Sequence, residues 1–261
     1  METPLLQIKN TDISYSGKTV VKDFSVSLNK GEILGIVGES GSGKSTVIKA
    51  AMGLLDQMGH VKEGSILFKG EDLSQLSSEQ MRRLRGTKMG MIFQNCAASL
   101  CPVRKIGDQL FESLNQHKKV SKEDMISQSL ELMKKINLND GMRILNSYPF
   151  ELSGGMNQRV GIIMAMMLNP ELLFADEPTS ALDVTVQAQV VREMMKMRDL
   201  YNTGIVIVTH NIGVVSYMAD KIAIMCQGKL IEYGSKQEII NNPKEEYTKK
   251  LLEAVPRIRK E

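Results

Sequence analysis

The sequence predicts an α/β fold with a parallel sheet at its core, and three short apolar runs support this prediction. Residues 32–37, 172–175 and 205–208 are rich in Ile, Leu and Val. Continuous apolar runs of this length are typical of parallel strands that are buried on both faces. Each run leads directly into a polar segment, and the carboxyl ends of such strands line the crevice where α/β sheets bind ligands. We therefore expect the functional residues directly after these runs.

The first run is followed by a segment that fits the P-loop pattern G-x-x-x-x-G-K-[ST]. Its residues are Gly38, Glu39, Ser40, Gly41, Ser42, Gly43, Lys44, Ser45 and Thr46. The glycines let backbone N–H groups turn inward around phosphate oxygens, and a helix predicted over residues 45–55 directs the positive end of its dipole at the same anion. We expect Lys44 to reach the β- and γ-phosphates and the Ser45 hydroxyl to hold Mg²⁺. A tight strand–helix connection without a ligand is the alternative, which the Lys-Ser-Thr ending disfavours.

Two adjacent carboxylates, Asp176 and Glu177, follow the second apolar run. Asp176 is expected to support the Mg²⁺ shell, as the second acidic element of P-loop ATPases does. Glu177 is then available as a general base for the attacking water, an effect commonly worth about 10²–10⁴ in rate. The alternative is an ordinary turn or helix start at Pro178, which explains a single acid better than a pair.

A histidine, His210, follows Thr209 at the end of the third run. A histidine after a strand is most often a surface or core residue. The same sheet edge is expected to carry Asp176, so a γ-phosphate sensor is the preferred interpretation. His60 and His117 have no such context, and the three scattered cysteines predict no transition-metal site.

A Ser-Gly-Gly run lies ahead of a helix predicted over residues 156–168. It consists of Leu152, Ser153, Gly154, Gly155 and Met156. With the ordered motifs above, this run resembles the signature loop of the nucleotide-binding subunits of ATP-binding cassette (ABC) transporters, and the resemblance covers nearly the whole chain. It implies a P-loop NTPase cassette with a RecA-like core, an antiparallel β subdomain and a helical subdomain. It also implies hydrolysis of ATP with Mg²⁺.

In that family two ATP molecules are sandwiched between two head-to-tail cassettes, and each signature loop caps the γ-phosphate held by the partner's P-loop. The physics agrees, because a Ser-Gly-Gly turn before a helix is a suitable anion site. Hinge motion of a helical lobe that ends at this loop would deliver Ser153 to the partner's ATP.

Further positions match the family one by one. Gln94, after an apolar run at residues 89–93, resembles the Q-loop glutamine that touches Mg²⁺ and senses the permease. Tyr15 resembles the aromatic residue that stacks on adenine; an ordinary strand-end tyrosine is the alternative. Met156 departs from the glutamine of many cassettes but matches the peptide-importer branch. The residues that resemble the D-loop, which crosses the dimer interface, are Ser180, Ala181, Leu182 and Asp183.

Several longer segments resemble the peptide/nickel importer branch of the family. They are residues 82–94, 99–109, 148–153, 183–189 and 242–256. The resemblance implies import of oligopeptides, dipeptides, nickel or metal chelates. It also implies a second, different ABC ATPase subunit, two transmembrane permease subunits and an extracytoplasmic solute-binding protein. One departure is Cys101, which replaces the usual asparagine in a segment that faces the permease.

Composition agrees with a cytosolic protein that docks peripherally on a membrane partner. The net charge is +3 with 24% charged residues, so nothing suggests the concentrated basic face of a nucleic-acid binder. No apolar run approaches the roughly 18 residues of a membrane span, and the N-terminus lacks an export pattern.

The chain is predicted to form one ABC ATPase domain. Residues 1–94 and 169–240 are expected to build the nucleotide-binding core with an antiparallel β layer. Residues 95–168 are expected to form the helical subdomain ending in the signature motif, and residues 241–261 a C-terminal helical tail. Within these regions, antiparallel strands are predicted before residue 30, a strand at 64–70 and a helix at 120–136.

Two other hypotheses stay open at this stage. A soluble ABC ATPase of DNA repair or translation would usually show tandem cassettes, a long coiled-coil insert or zinc-binding cysteines, and none of these is visible. A degenerate cassette would bind ATP as a clamp without hydrolysing it. That hypothesis conflicts with the presence of Lys44, Ser153, Asp176, Glu177 and His210 together.

Overall fold

The computed structural model describes residues 3–180 and 182–254. The strands are β1 (Leu6–Tyr15), β2 (Lys18–Leu28), β3 (Ile33–Val37), β4 (Gly59–Phe68), β5 (Glu71–Asp72), β6 (Met89–Ile92), β7 (Leu172–Asp176), β8 (Gly204–Thr209), β9 (Lys221–Cys226) and β10 (Lys229–Ser235). The helices are α1 (Lys44–Ala51), α2 (Ser78–Leu84), α3 (Cys96–Ser99), α4 (Ile106–Asn115), α5 (Lys122–Lys135), α6 (Gly141–Asn146), α7 (Gly154–Met166), α8 (Val184–Tyr201), α9 (Ile212–Met218), α10 (Lys236–Asn241) and α11 (Glu246–Glu253). Short 3₁₀ helices span Leu73–Gln75 and Pro149–Glu151.

The chain divides into two compact units. The first contains residues up to 81 together with those from 204 onward, and the second contains residues 82–203. This grouping does not test the predicted division into a core of residues 1–94 and 169–240, a helical subdomain of 95–168 and a tail of 241–261, which stays a prediction. Residues 255–261 of that tail lie outside the described residues.

The strands of the first unit follow the order β5-β4-β1-β2-β10-β9-β3-β8. β3 runs parallel to β8 on one side and to β9 on the other, with Val37 opposite Thr209. All five residues of β3 and all six of β8 are buried. The predicted buried parallel strands at residues 32–37 and 205–208 are therefore confirmed.

Antiparallel strands form the other end of this sheet. β1 pairs with β2 on one side and with β4 on the other, which confirms the antiparallel strands predicted before residue 30. The strand predicted at residues 64–70 begins earlier, at Gly59. Gly64 lies inside it with φ at 83°, and a Cβ there would stand 2.3 Å from the carbonyl oxygen of Lys9. Gly64 therefore lies inside the strand, at an irregular part of its pairing with β1, and does not mark where the strand begins.

The second unit combines one parallel strand pair with helices. β6 pairs with β7, Met89 facing Leu172 and Ile92 facing Ala175, which confirms the two strands predicted there. Between these strands the described residues are helical or irregular, from α3 through α7. Helix α5 confirms the helix predicted at 120–136. It begins after Ser121, whose hydroxyl accepts a hydrogen bond from the N–H of Asp124 at 3.0 Å.

Two predicted helix boundaries are wrong. Helix α1 ends at Ala51 rather than near residue 55, because Gly53 adopts a left-handed conformation with φ at 59°. Leu54, which the predicted helix would include, lies outside α1 and is 39% exposed. Helix α7 begins at Gly154, two residues before the predicted start, because Ser153 serves as its N-cap.

One buried ion pair joins α7 to α8. The Arg159 guanidinium donates one hydrogen bond to the Glu193 carboxylate at 3.0 Å and another to the carbonyl oxygen of Ile136 at 2.6 Å, and it forms an ion pair with the second Glu193 oxygen at 2.8 Å. Burial raises the pKa of the Glu193 carboxyl, while the charge of Arg159 opposes this shift. This ion pair therefore links α7, which follows the signature loop, to α8, which follows the D-loop.

Among the described residues, no helix is both long enough and apolar enough to cross a membrane.

Candidate nucleotide site

The glycine-rich loop joins β3 to α1 in the first unit and has the backbone shape expected of a P-loop. Gly41 and Gly43 adopt left-handed conformations, with φ at 80° and 96°. Gly38 is required for a different reason, because a Cβ there would stand 2.1 Å from the carbonyl oxygen of Met225. Any other residue at these three positions would therefore strain the loop.

Lys44 lies inside this loop and is only 4% exposed. Its ammonium donates to the carbonyl oxygens of Gly38 and Glu39, both at 2.7 Å, and to the Ser42 hydroxyl at 3.4 Å. The positive charge is therefore held at the N-terminus of α1, where the helix dipole is also positive. Ser45, in the first turn, is half-buried. This arrangement is suited to binding an anion such as phosphate.

His210 lies at the edge of the first unit's sheet where the glycine-rich loop begins. Val37 and Thr209 are opposite each other in parallel strands, so Gly38 and His210 are the next residues of adjacent strands. His210 is exposed. Asn211 then caps α9, its side-chain oxygen accepting from the N–H of Gly213 at 2.9 Å. The register agrees with a sensor role for His210, which stays a prediction.

The second unit repeats this geometry with the acidic pair. Ile92 is opposite Ala175 in parallel strands, so Gln94 and Glu177 each lie two residues beyond that pair. The Gln94 amide nitrogen stands 3.5 Å from a Glu177 carboxylate oxygen and 3.4 Å from the Ser180 hydroxyl. Glu177 has a left-handed backbone, with φ at 44°. Such a conformation in a non-glycine residue is often found at functional sites, where surrounding structure enforces it.

The predicted Mg²⁺ ligands are Ser45, Gln94 and Asp176, and their chemistry suits that ion. They offer hydroxyl, amide and carboxylate oxygens, the hard donors that Mg²⁺ prefers. Gln94 uses its N–H₂ group toward Glu177, which leaves the amide oxygen available for a cation. In the described part of the chain, no group of three or more His, Cys, Asp or Glu could hold a metal by itself.

The signature loop forms the N-terminus of α7. Ser153 is the N-cap, and its hydroxyl oxygen accepts a hydrogen bond from the N–H of Met156 at 3.3 Å. The O–H hydrogen stays available as a donor to an anion. Ser153 and Gly154 are exposed, and a Cβ on Gly154 would meet nothing closer than 3.9 Å. This helix end can therefore be approached by a ligand from outside the unit.

The D-loop residues lead directly into α8. Asp183 is the N-cap, and its carboxylate accepts from the N–H of Val186 at 3.0 Å. Leu182 is half-buried, and Ala181 lies outside the described residues. Gly155 packs against this helix start, because a Cβ there would stand 2.6 Å from a Val186 methyl group. The signature loop is thus in direct contact with the first turn of the helix that follows the D-loop.

Tyr15 ends β1 and packs against a glycine. A Cβ on Gly59 would stand 2.7 Å from the Tyr15 ring. Burial and the nearby charge of Asp56 raise the pKa of Tyr15, so its hydroxyl stays protonated at neutral pH. The proposed stacking on adenine stays a prediction.

No role was assigned from the sequence to three buried polar residues of the second unit. They are Asn157, Gln158 and Arg159, which are all buried in α7. Asn157 donates to the carbonyl oxygens of Pro149 and Leu152, and Gln158 to that of Phe93 at 3.5 Å. They fix the segment before the signature loop and the end of β6. The available signal was a polar triplet inside an otherwise apolar helix.

Comparison with known protein families gives two matches. Residues 21–180 match the ABC transporter family model. Residues 231–261 match a model described as the C-terminal region of oligopeptide/dipeptide transporters. The first match covers more than half of the chain, and residues 181–230 lie between the two.

Curated relatives and solved structures agree with these matches. The chain is 44% identical to the oligopeptide transport ATP-binding protein OppD of Bacillus subtilis, over 97% of this chain and 72% of that protein. It is 42% identical to the dipeptide transport ATP-binding protein DppD of Lactococcus lactis, over 98% of this chain and 75% of that protein.

Among solved structures, it resembles a dimeric post-hydrolysis state of the ATP-binding cassette MJ0796 bound to ADP and Pi, with a TM-score of 0.77 and 26% identity over 88% of this chain and 98% of that one. CbiO1 from Clostridium perfringens, part of the ABC transporter complex cbiONQ, has the same fold at 24% identity, with a TM-score of 0.80 over 92% of each chain. The predicted cassette fold, the predicted family branch and the predicted ATPase activity are confirmed. The chain belongs to the ABC transporter family, as one of its ATP-hydrolysing, ATP-binding subunits.

Proposed function

We propose that this chain is a motor subunit of a binding-protein-dependent importer of oligopeptides or dipeptides. The observation that carries the cargo assignment is the match of residues 231–261 to the C-terminal region of oligopeptide/dipeptide transporters. The names of relatives at 42–44% identity support the same cargo. Nickel or a metal chelate, the other cargo of the predicted branch, becomes one outcome of the transport test below.

The glycine-rich loop binds the triphosphate in this proposal. The inward-turned N–H groups and the dipole of α1 attract the phosphate oxygens, and Lys44 supplies the positive charge at the β- and γ-phosphates. Ser45, Asp176 and Gln94 would hold Mg²⁺, which neutralises negative charge on the phosphates when it is bound. Tyr15 stacks on the adenine ring.

Hydrolysis is then assigned to Glu177 and His210. Glu177 accepts a proton from water as the water oxygen bonds to the γ-phosphorus, and the bond from that phosphorus to the bridging oxygen breaks to give ADP and phosphate. Gln94 orients the Glu177 carboxylate through its amide N–H. His210 donates a hydrogen bond to the γ-phosphate from the end of β8.

The signature loop acts on the ATP of a partner cassette. Ser153 and the N–H groups at the start of α7 cap the partner's γ-phosphate, and Asp183 lies in the D-loop at the same interface. The exposure of Ser153 and Gly154 supports this role in trans. Binding of ATP closes the pair of cassettes, and hydrolysis reopens it.

The assembly proposed for this subunit contains a second, different ABC ATPase, two permeases and an extracytoplasmic solute-binding protein. The chain sits peripherally at the cytoplasmic face of the membrane, and nucleic acid is not among its partners. Salt-dependent binding of the isolated protein to DNA or ribosomes would favour the alternative role in DNA repair or translation.

The deciding experiment measures ATP turnover by the reconstituted complex, with the binding protein empty, peptide-loaded or metal-loaded. We expect ATP turnover by the complex to rise only when the binding protein is loaded with peptide. A complex carrying Glu177→Gln controls for contaminating ATPases. Equal turnover in all three states contradicts coupled import, and a rise only with the metal-loaded protein replaces peptide by metal as the cargo.

A further inference from the structure

The C-terminal segment touches the glycine-rich loop at one point within the first unit. The backbone N–H of Glu39 donates a hydrogen bond to the Tyr247 hydroxyl of α11, at 3.4 Å. Tyr247 is half-buried. Burial raises its pKa, which the hydrogen bond from Glu39 only partly opposes, so the hydroxyl is protonated at neutral pH. None of the roles assigned above uses this contact.

Glu39 is the residue through which this contact reaches the phosphate-binding lysine. While its N–H donates to Tyr247, its carbonyl oxygen accepts from the Lys44 ammonium at 2.7 Å and from the N–H of Ser42 at 3.2 Å. The N–H and the carbonyl oxygen of this one exposed loop residue are therefore both held by hydrogen bonds. Fixing Glu39 fixes one of the carbonyl oxygens that orient the Lys44 ammonium.

The position of Tyr247 is itself secured by a carboxylate on β10. Glu232 accepts hydrogen bonds from the N–H groups of Lys244 at 2.8 Å and Glu245 at 3.3 Å, at the start of α11. Partial burial tends to raise the pKa of Glu232, but hydrogen bonds from the N–H groups of Lys244 and Glu245 and the nearby charge of Lys244 help to lower it on balance. The carboxylate is charged at neutral pH and favourably placed at a helix N-terminus.

The end of β9 and the turn between β9 and β10 also contact the loop. The N–H of Gly228 donates to the carbonyl oxygen of Ser42 at 3.1 Å, and the carbonyl oxygen of Met225 lies against Gly38. Residues of the segment from β9 to α11 thus contact the loop at Gly38, Glu39 and Ser42. Of these contacts, only the one to Glu39 is made by a side-chain group that a conservative substitution can remove.

We infer that Tyr247 is a positioning residue for ATP binding, which holds Glu39 so that the loop presents Lys44 to the phosphates. This inference rests on the proposed phosphate-binding role of the loop. It assigns to the C-terminal segment a direct part in nucleotide affinity.

The test compares two variants that each remove one hydroxyl. Tyr247→Phe loses the contact with Glu39. Tyr233→Phe is the matched control on β10, where the hydroxyl accepts from the N–H of Ser27 at 3.2 Å and donates to its carbonyl oxygen at 2.9 Å. Binding of a fluorescent ATP analogue and the thermal midpoint are measured on the purified chain, and KM and kcat for ATP on the reconstituted complex.

We expect Tyr247→Phe to raise the Kd and the KM roughly three- to tenfold, the effect of losing one hydrogen bond, with kcat at saturating ATP unchanged. Tyr233→Phe should leave Kd and KM at the wild-type values. In a Lys44→Ala background, Tyr247→Phe should have no further effect on Kd, because it acts through Lys44.

A wild-type Kd in Tyr247→Phe, an equal loss in Tyr233→Phe, or an additive effect with Lys44→Ala overturns the inference. Failure of the proposed function gives a different result, since the wild-type chain would then show no turnover that Glu177→Gln abolishes. Glu232→Gln provides a second variant on the same path. It removes one of the two carboxylate acceptors at α11 and should raise the Kd by less than Tyr247→Phe does.

Discussion

The side-chain amide of Gln94 donates to the carboxylate of Glu177 across 3.5 Å. This contact follows from the register of β6 and β7. Ile92 faces Ala175, and Gln94 and Glu177 each lie two residues beyond that pair. One carboxylate oxygen of Glu177 is thereby oriented. The geometry is the one expected of a base that is held in place by a neighbour.

Replacing this base should separate ATP binding from turnover. Glu177→Gln keeps the shape of the side chain but cannot accept a proton from water, so turnover should fall by about 10²–10⁴ while binding is retained. The ATP-bound pair of cassettes should accumulate, which size-exclusion chromatography with ATP would detect. Turnover equal to that of the wild type would remove Glu177 from its assigned role.

Removing the lysine of the loop should weaken binding itself. Lys44→Ala deletes a charged donor, and charge-assisted hydrogen bonds contribute about 1.5–3 kcal/mol, so the Kd for ATP should rise by roughly one to two orders of magnitude. A nucleotide titration measures this. Lys49→Ala is the matched control, because Lys49 lies on the same helix with its side chain exposed. An equal loss in both variants would contradict a specific role for Lys44.

The buried ion pair between α7 and α8 predicts a large effect on stability. Arg159→Met leaves the Glu193 carboxylate buried without its cation, which should lower the free energy of unfolding by about 3–5 kcal/mol. Lys122→Met breaks the exposed pair with Asp108 and should cause no measurable change in the midpoint of chemical unfolding. If the two variants unfold at the same denaturant concentration, the buried pair has no special structural role.

Stability should also depend on pH through Cys96. Burial raises the pKa of this thiol from 9.0 to about 11. Between these values the unfolded chain loses the proton and the folded chain keeps it. The contribution of Cys96 to stability is therefore complete below pH 9 and declines by about 1.4 kcal/mol per pH unit up to pH 11.

Comparing the wild type with Cys96→Ala by chemical unfolding tests this dependence. The difference in unfolding free energy between the two proteins should shrink by about 1 kcal/mol from about pH 8 to about pH 10. A difference that stays constant over this range would show that the thiol does not titrate in the way the burial requires.

The elements that were predicted correctly depend on local pattern. The strands β3, β7 and β8 are continuous apolar runs, and the loop at residues 38–46 has a spacing that its chemistry requires. A sequence shows such features directly because neighbouring residues create them. The start of α7 could also have been placed correctly, since Ser153 before two glycines is an N-cap signal.

The features that were not predicted depend on residues far apart in the chain. The contact between Glu39 and Tyr247 spans 208 positions, and the pair of Arg159 with Glu193 spans 34. Nothing in the local sequence specifies either partner. The predicted strand began too late, at Gly64 instead of Gly59. Gly64 faces the backbone of β1, and this neighbour is known only once the sheet is assembled.

The left-handed backbone of Glu177 limits which substitutions there report on chemistry. At φ of 44°, a β-branched side chain such as Val or Ile would crowd its own carbonyl groups and distort the turn that leads to Ser180. Asn and Gly tolerate this conformation well, so inactive variants of these two types would indicate a missing base. An inactive Val variant could equally reflect a misshapen turn, and mutational surveys of this position therefore need to be sorted by side-chain shape before they are interpreted.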